Sequence, residues 1–328
     1  MSDWSALFGV RGCWPRSAGA IPILNATPRR QTVSELVSAQ GDALPKVPVG
    51  EAVQWFVDWL YDNFLPFFES LSSLGTSMYD GLSSALLYLP ALAMVGLLTL
   101  LGLWLRGWKF ATYALLSTAL IVSMGFWEHA MQTLALVIIT TVAATVASVP
   151  LGILAAYNES FSRLVRPVLD FMQTTPPFVY LIPALALFGI GVFPGMVATV
   201  IFAMPPGVRL TELGIRQVDP EMVEAGEAFG APPWQILTKI QIPLALPTIL
   251  AGINQVIMLA LSMVVIAALV GAGGLGEDVY SAITQTNIGR GAASGLAVVL
   301  LAIYLDRLTQ ALGNRSAVKK AERVAEAA

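Results

Sequence analysis

The sequence has one cysteine, Cys13, and one histidine, His129, in 328 residues. That scarcity excludes a disulfide framework and an ordinary Cys/His metal site, so no metal is expected. It also leaves a single candidate histidine base for hydrolytic chemistry. Charge is scarce as well: 12% of residues are Asp, Glu, Lys or Arg, about half the share usual in a soluble domain. No Gly-Lys-Ser/Thr phosphate loop occurs, so this chain is not expected to hydrolyse ATP. The formal net charge of −3 argues against nucleic acid as a partner, because phosphate binding needs the opposite sign. A leader peptide is not expected either, since Arg11, Pro15 and Arg16 interrupt the short apolar runs near the start.

What is abundant is apolar residue, 56% of the chain, and it is arranged in long charge-free stretches. A membrane-spanning helix needs about 20 mainly apolar residues. Six stretches qualify: 81–105, 110–127, 130–158, 171–208, 240–276 and 291–305, the last continuing past Asp306 and Arg307 to about residue 313. The fourth is too long for one span and breaks where Gly189, Gly191, Pro194 and Gly195 permit a tight reversal, so seven spans are expected. With the segment between Arg209 and Lys239 placed in the cytoplasm, the inside segments hold Arg106, Lys109, Arg163, Arg166, Arg209, Arg216, Lys239, Arg307, Arg315, Lys319, Lys320 and Arg323. The short outside loops hold Arg290 alone. This asymmetry follows the positive-inside rule and puts the C-terminus in the cytoplasm and the N-terminal tail outside. The fold class is therefore an all-α integral membrane protein, a polytopic helical bundle.

Residues 1–47 are punctuated by Pro and Gly and show no period, so loose structure is expected there. Residues 50–71 differ. At 100° per residue, Glu51, Asp58, Asp62 and Glu69 fall on one arc, and Val53, Phe56, Val57, Leu60, Phe64, Phe67, Phe68 and Leu71 on the other. The pattern predicts an amphipathic helix lying on the membrane or on the protein, bent at Pro66. A tail at 1–80, spans at 81–128, a core at 129–313 and a C-terminal tail at 314–328 complete the expected organisation.

The most informative segment lies outside the bilayer, at 209–245. Asp219 is suited to a helix N-cap and Pro220 to the first helical position. Gly230 is suited to a left-handed C′ residue. Pro232 and Pro233 can begin a second short helix, and Pro243 is expected to end it. The result is a helical hairpin. A DNA-reading helix-turn-helix is disfavoured by its charge, −3 over residues 219–239. A plain structural loop is the other reading; against it, Phe229, Trp234 and Ile236 are large apolar groups that call for a protein to cover them.

Here the chain resembles a known family. Glu224-Ala225-Gly226, three residues, Gly230, nine residues and Ile240-Gln241-Ile242-Pro243 resemble the "EAA" loop of binding-protein-dependent ABC importer permeases, whose pattern is Glu-Ala-Ala, three residues, Gly, nine residues, Ile-x-Leu-Pro. Gly226 and Ile242 depart from it. Residues 129–135, 170–176, 259–267, 273–276 and 303–310 are similar to the permeases of glycine betaine/proline betaine transporters. The resemblance implies a type I ABC importer permease core of five spans, with two preceding spans and the N-terminal amphipathic helix added. It implies import of quaternary-ammonium solutes, with choline, proline or methionine as alternative cargo; an ion-driven secondary transporter is the rival class. It implies as partners a second copy of the chain, two ATPase subunits that bind ATP and Mg, and an extracytoplasmic solute-binding protein, all in membrane lipid. Cofactors in this chain are not implied. By the same resemblance Glu224 and Ala225 shape the first coupling helix, Gly230 the turn, and Ile240 and Pro243 the anchor of the second, with Gly226 in the same ATPase-coupling loop.

Two further features concern passage and a false motif. Gln173, Thr174, Thr175, Asn254, Gln255 and Ser262 are polar residues within apolar stretches. They either line a transient polar pathway or make hydrogen bonds between and within helices. Gly271-Ala272-Gly273-Gly274-Leu275-Gly276 fits a dinucleotide fingerprint in letters alone; it lacks the strand that a nucleotide site needs and is expected to be a helix terminus and outer turn.

Overall fold

The structure is a computed structural model that describes residues 48–314. The expectations for the tail at 1–47 and for the basic residues beyond 314 lie outside the described residues. From Val53 onward the described residues form one compact unit. Among the described residues every regular element is helical: α1 (Val49–Tyr88), α2 (Ala91–Arg106), α3 (Trp108–Ser123), α4 (Trp127–Tyr157), α5 (Glu159–Thr174), α6 (Pro177–Phe188), α7 (Val192–Arg216), α8 (Pro220–Ala228), α9 (Pro233–Ile236), a π-helical turn (Leu237–Gln241), α10 (Ile242–Ala267), a short 3-10 turn (Ala268–Val270), α11 (Gly274–Thr284) and α12 (Ile288–Asn314).

Four helical segments are each long and apolar enough to cross a membrane: Trp127–Tyr157, Val192–Arg216, Pro233–Val270 and Ile288–Ala311. Two bent pairs, α1 with α2 and α5 with α6, pass the same test together, each bent by 100°. They raise the number to six, and α3, at 16 residues, is shorter. These segments coincide with the expected stretches, with three corrections. The stretch 81–105 is not one continuous span; it turns sharply at Pro90, which caps α2 and cannot continue α1's ladder. The amphipathic helix does not end near residue 71 but runs to Tyr88, so residue 81 falls inside α1, whose non-helical residue is Phe64, two before Pro66. The stretch 240–276 ends at Val270, and Gly271 and Gly273 take left-handed φ values of 87° and 71° before α11 begins. The reversal expected around Gly189 and Gly191 is present, between α6 and α7.

Packing centres on α7, which lies against both α4 and α10. Close approach there depends on small residues. A Cβ on Gly207 would sit 2.4 Å from Ser148 Oγ, and one on Gly152 would sit 2.7 Å from the Val208 carbonyl. Lipid supplies no hydrophobic drive between helices, so such backbone proximity carries much of the association. Tyr304 and Tyr113 hold α12 to α2 and α3: Tyr304 donates to the Leu98 carbonyl at 3.0 Å and Tyr113 to the Leu300 carbonyl at 3.1 Å. Large apolar groups such as Leu116, Val146 and Ile182 remain 68–70% exposed on the spans, as a surface solvated by lipid or by membrane partners requires.

At the end of the bundle away from the hairpin, α11 is fixed from several sides. Thr133 accepts the Leu275 N–H at 2.9 Å. Asp278, fully buried, meets His129 of α4 and Arg290 of α12. A Cβ on Gly276 would lie 2.3 Å from the Val264 carbonyl. Gly276→Ala should therefore destabilise the fold by about 2 kcal/mol through overpacking against backbone, read as a lower thermal midpoint in detergent. An unchanged midpoint would contradict this packing.

Candidate functional site

The segment 209–245 forms the expected hairpin, and its local signals up to the turn are visible in the geometry. The Asp219 side chain accepts the Glu221 N–H at 2.9 Å and Pro220 occupies the first turn of α8. The helix stops in a complete Schellman motif. Gly230 has φ 73°; its N–H donates to the Glu227 carbonyl at 2.8 Å, and the Ala231 N–H donates to the Gly226 carbonyl at 3.1 Å. A left-handed C′ residue of this kind strongly favours glycine. Nothing within 4 Å would meet a Cβ at Gly230, so the turn is an open tip.

Beyond the tip the chain departs from expectation. Pro243 does not end the second helix. The segment from Pro233 to Val270 is a continuous helical span, and the π turn at Leu237–Gln241 precedes Pro243 directly. Widening the ladder there, with Ile242 N–H donating to Leu237 O, lets a residue without an N–H enter the helix without a break. The π turn is tied to the end of α4 by a hydrogen bond from the Tyr157 hydroxyl to Gln241.

Gly226 and Ile240 form a pair. Gly226 is buried, and a Cβ there would lie 2.7 Å from Ile240 Cδ1 and 3.5 Å from Ile236. The missing methyl at 226 makes room for the isoleucine that locks α8 to the π turn. Ile236 is 5% exposed, so its apolar surface is covered within this chain; the reading that it awaits a partner is corrected. Phe229 and Trp234 are different, at 92% and 71% exposed, on either side of Gly230. Glu224 and Ala225 are exposed on α8, and Pro243 is half-buried at the start of α10. Behind the hairpin, Ile215, Leu237, Ala245 and Ile249 pack with Val149 and Ile153 of α4, which joins the tip mechanically to three spans.

A charged cluster next to the hairpin was only partly legible in the sequence. Glu212 and Arg216 pair along α7 at 3.1 Å, as their spacing predicts. The Glu212 carboxylate, 7% exposed, also accepts from Ser162 Oγ at 2.7 Å and Arg166 at 3.0 Å, both on α5. Arg216 reaches Glu159 at 2.8 Å and the Ala155 carbonyl at 2.8 Å, and Arg209 pairs with Asp170. These ties bind α5 to α7, and the two are separated by some fifty residues of sequence, so no local signal announced them.

The six polar residues within the apolar stretches differ in how their side chains are engaged. Asn254 is engaged between helices: it donates to Asp306 at 2.9 Å and accepts from Thr309 at 2.9 Å. Asp306 also accepts from Gln310 and lies 3.9 Å from Arg307; its bond to Asn254 makes it an acceptor between α10 and α12. Thr174, Thr175 and Ser262 return their hydroxyls to carbonyls one turn back. Gln173, Gln255 and Ser262 are exposed. Gln173, Thr174 and Thr175 sit at the bend between α5 and α6, the others on α10, and among the described residues no hydrogen bond joins the two sets.

Residues 148–318, just over half of the chain, match the family described as binding-protein-dependent transport system inner membrane component. A glycine betaine transport system permease of Bacillus subtilis is 48% identical, over 82% of this chain and 95% of that protein. A glycine betaine/carnitine transport permease of Listeria monocytogenes is 45% identical over 83% and 98%. A glycine betaine/proline betaine transport system permease of Escherichia coli is 44% identical over 82% and 76%. Among solved structures, an inward-facing form of a methionine ABC transporter aligns with TM-score 0.50 and 24% identity, over 58% of this chain and 93% of that one; this likeness concerns the fold alone.

Proposed function

The chain belongs to the family of binding-protein-dependent transport system inner membrane components, and from that premise we propose that it is the permease subunit of an ATP-driven importer of glycine betaine and related quaternary-ammonium solutes. Its relatives are transport permeases, not enzymes, so ATP hydrolysis falls to a partner ATPase, which holds ATP and Mg. A second copy of the chain, two ATPase subunits and an extracytoplasmic solute-binding protein complete the assembly. The hairpin lies in the cytoplasm, with the N-terminal tail outside and the C-terminus inside.

The observation that carries the reading is the hairpin tip. Phe229 and Trp234 flank a fixed left-handed turn, and apolar groups so displayed need a protein surface. The tip is braced on α4, α7 and α10 through the cluster around Ile215 and Ile249. Movement of a docked ATPase would therefore displace spans rather than bend a loop. Closure of the two ATPases on ATP draws the hairpins together, the spans rock from inward- to outward-facing, the binding protein delivers solute, and hydrolysis resets the bundle, a rigid-body switch between two packed states. Gln173, Gln255 and Ser262 supply polar surface along the pathway; Asn254 positions α10 against α12. An ion-driven mechanism has less support, because the candidate spans carry no chain of acids of the kind proton relays use.

Cross-linking tests the docking. With Cys13 replaced, a cysteine at Glu227 or Ala231 should cross-link to the ATPase subunit, and the yield should change when ATP is added. A cysteine at Thr286, at the opposite end of the bundle, should not. Equal yields at both ends, or none at the hairpin in an assembled complex, would contradict the assignment.

A further inference from the structure

We propose that the pocket between the kinked part of α1 and the C-terminal end of α6 is a binding site for a methylated ammonium group, on the opposite end of the chain from the hairpin. It rests on the proposed function for the class of solute and on this pocket's own geometry for the site. The pocket holds about 520 Å³ and is lined by Tyr61, Phe68, Glu69, Ser72 and Ser73 of α1 and by the last turn of α6 through Phe188.

Three independent features call for a cation there. The first is aromatic. Phe68 and Phe188 meet edge to face, with ring centroids 5.5 Å apart at 87°, and Tyr61 contributes a third ring to the lining. Ring faces attract a cation through their quadrupole, and a methylated ammonium suits them because it has no N–H that must be satisfied. The second is a carboxylate. Glu69 lines the same space, and among the described residues it has no basic partner. The third is the end of a helix. The last residues of α6, Ala186, Leu187 and Phe188, line the pocket, and the ladder of α6 closes with Leu185 O accepting the Gly189 N–H. A helix C-terminus carries partial negative charge and stabilises a cation.

The hydroxyls of Ser72 and Ser73 leave the rim polar. A solute with a carboxylate, such as glycine betaine, can seat its ammonium among the rings and direct its carboxylate to the serines and solvent. Size adds to the argument: the pocket admits a trimethylammonium head with room for a short tail, and it is too open to retain one tightly. The site is therefore a transient stop for solute.

The test is equilibrium binding of labelled choline to the full chain in nanodiscs of phosphatidylglycerol and phosphatidylethanolamine, without ATPase or binding protein. Saturable binding is expected, displaced by tetramethylammonium and glycine betaine but not by uncharged 3,3-dimethylbutanol. Tyr61→Ala and Glu69→Gln, both at exposed positions, should each weaken it by about threefold to tenfold without altering the thermal midpoint. No saturable binding, equal displacement by the uncharged analogue, or unchanged affinity in the double variant would overturn the site. Loss of choline binding only when phosphatidylcholine is added to the nanodiscs, with no displacement by free solute, would assign the pocket to a lipid headgroup and overturn the solute reading. None of these outcomes bears on ATP-driven uptake, which is measured with the assembled importer.

Discussion

Gly230→Glu is expected to abolish ATP-driven uptake while leaving the permease folded and inserted. Gly230 is exposed, and its Cβ direction is empty, so no core packing is disturbed. Two effects act together at the tip. A non-glycine residue at φ 73° carries about 1–2 kcal/mol of backbone strain, which loosens the Schellman turn. A carboxylate between Phe229 and Trp234 adds a charge where the ATPase surface must desolvate the tip. Damage at the centre of an interface typically costs roughly 2 kcal/mol or more, about thirtyfold in affinity. Uptake in proteoliposomes should fall to background at equal expression, and ATPase activity should no longer respond to the loaded binding protein. Gly230→Asn should retain much of the activity, because asparagine tolerates the left-handed region. Normal uptake by Gly230→Glu would contradict docking at this turn.

Glu212→Ala should be the most destabilising single change near the hairpin. The carboxylate is 7% exposed and is shared by Ser162, Arg166 and Arg216. Removing it leaves Arg166 and the Ser162 hydroxyl without that acceptor and weakens the tie of α5 to α7, which Arg216–Glu159 and Arg209–Asp170 then carry alone. Breaking a buried pair costs about 3–5 kcal/mol; Arg166 is 55% exposed, which places the effect near the lower end. Arg166→Ala should cost under about 1 kcal/mol, as for exposed pairs in general. Thermal denaturation in detergent separates the two. Equal shifts for both variants would show that Glu212 is not the hub of the cluster.

How much was legible in advance depended on how local the cause was. The Asp219-Pro220 start and the Gly230 stop are set by the conformational preferences of single residues, and the structure shows them where the sequence places them. The reversal at Gly189 and Gly191 is of the same kind. Failures arose where a distant residue decides. Ile236 looked like an exposed anchor because the gap left by Gly226 across the hairpin is invisible in a one-dimensional pattern. For Asn254 pathway lining and a hydrogen bond between helices stay open in the sequence, because its partner Asp306 lies 52 residues on. Arg166 could not be connected to Glu212 from spacing alone. Pro243 looked like a stop because the usual rule assumes an α ladder, and the preceding π turn removes that assumption. Pro90 is the opposite case, a local break hidden within a stretch that carries no charge. Within the hairpin the residue types and the turn were readable; which of its apolar groups remain uncovered was not.

The coupling account is tested most directly by uptake of labelled glycine betaine into proteoliposomes holding this chain with its ATPase and binding protein. Uptake is compared with ATP inside, without ATP, and with an imposed Na⁺ or H⁺ gradient. The account predicts uptake that requires ATP and is indifferent to the gradient, lost in Gly230→Glu. Uptake driven by the ion gradient alone, or ATP-driven uptake undiminished in Gly230→Glu, would contradict it.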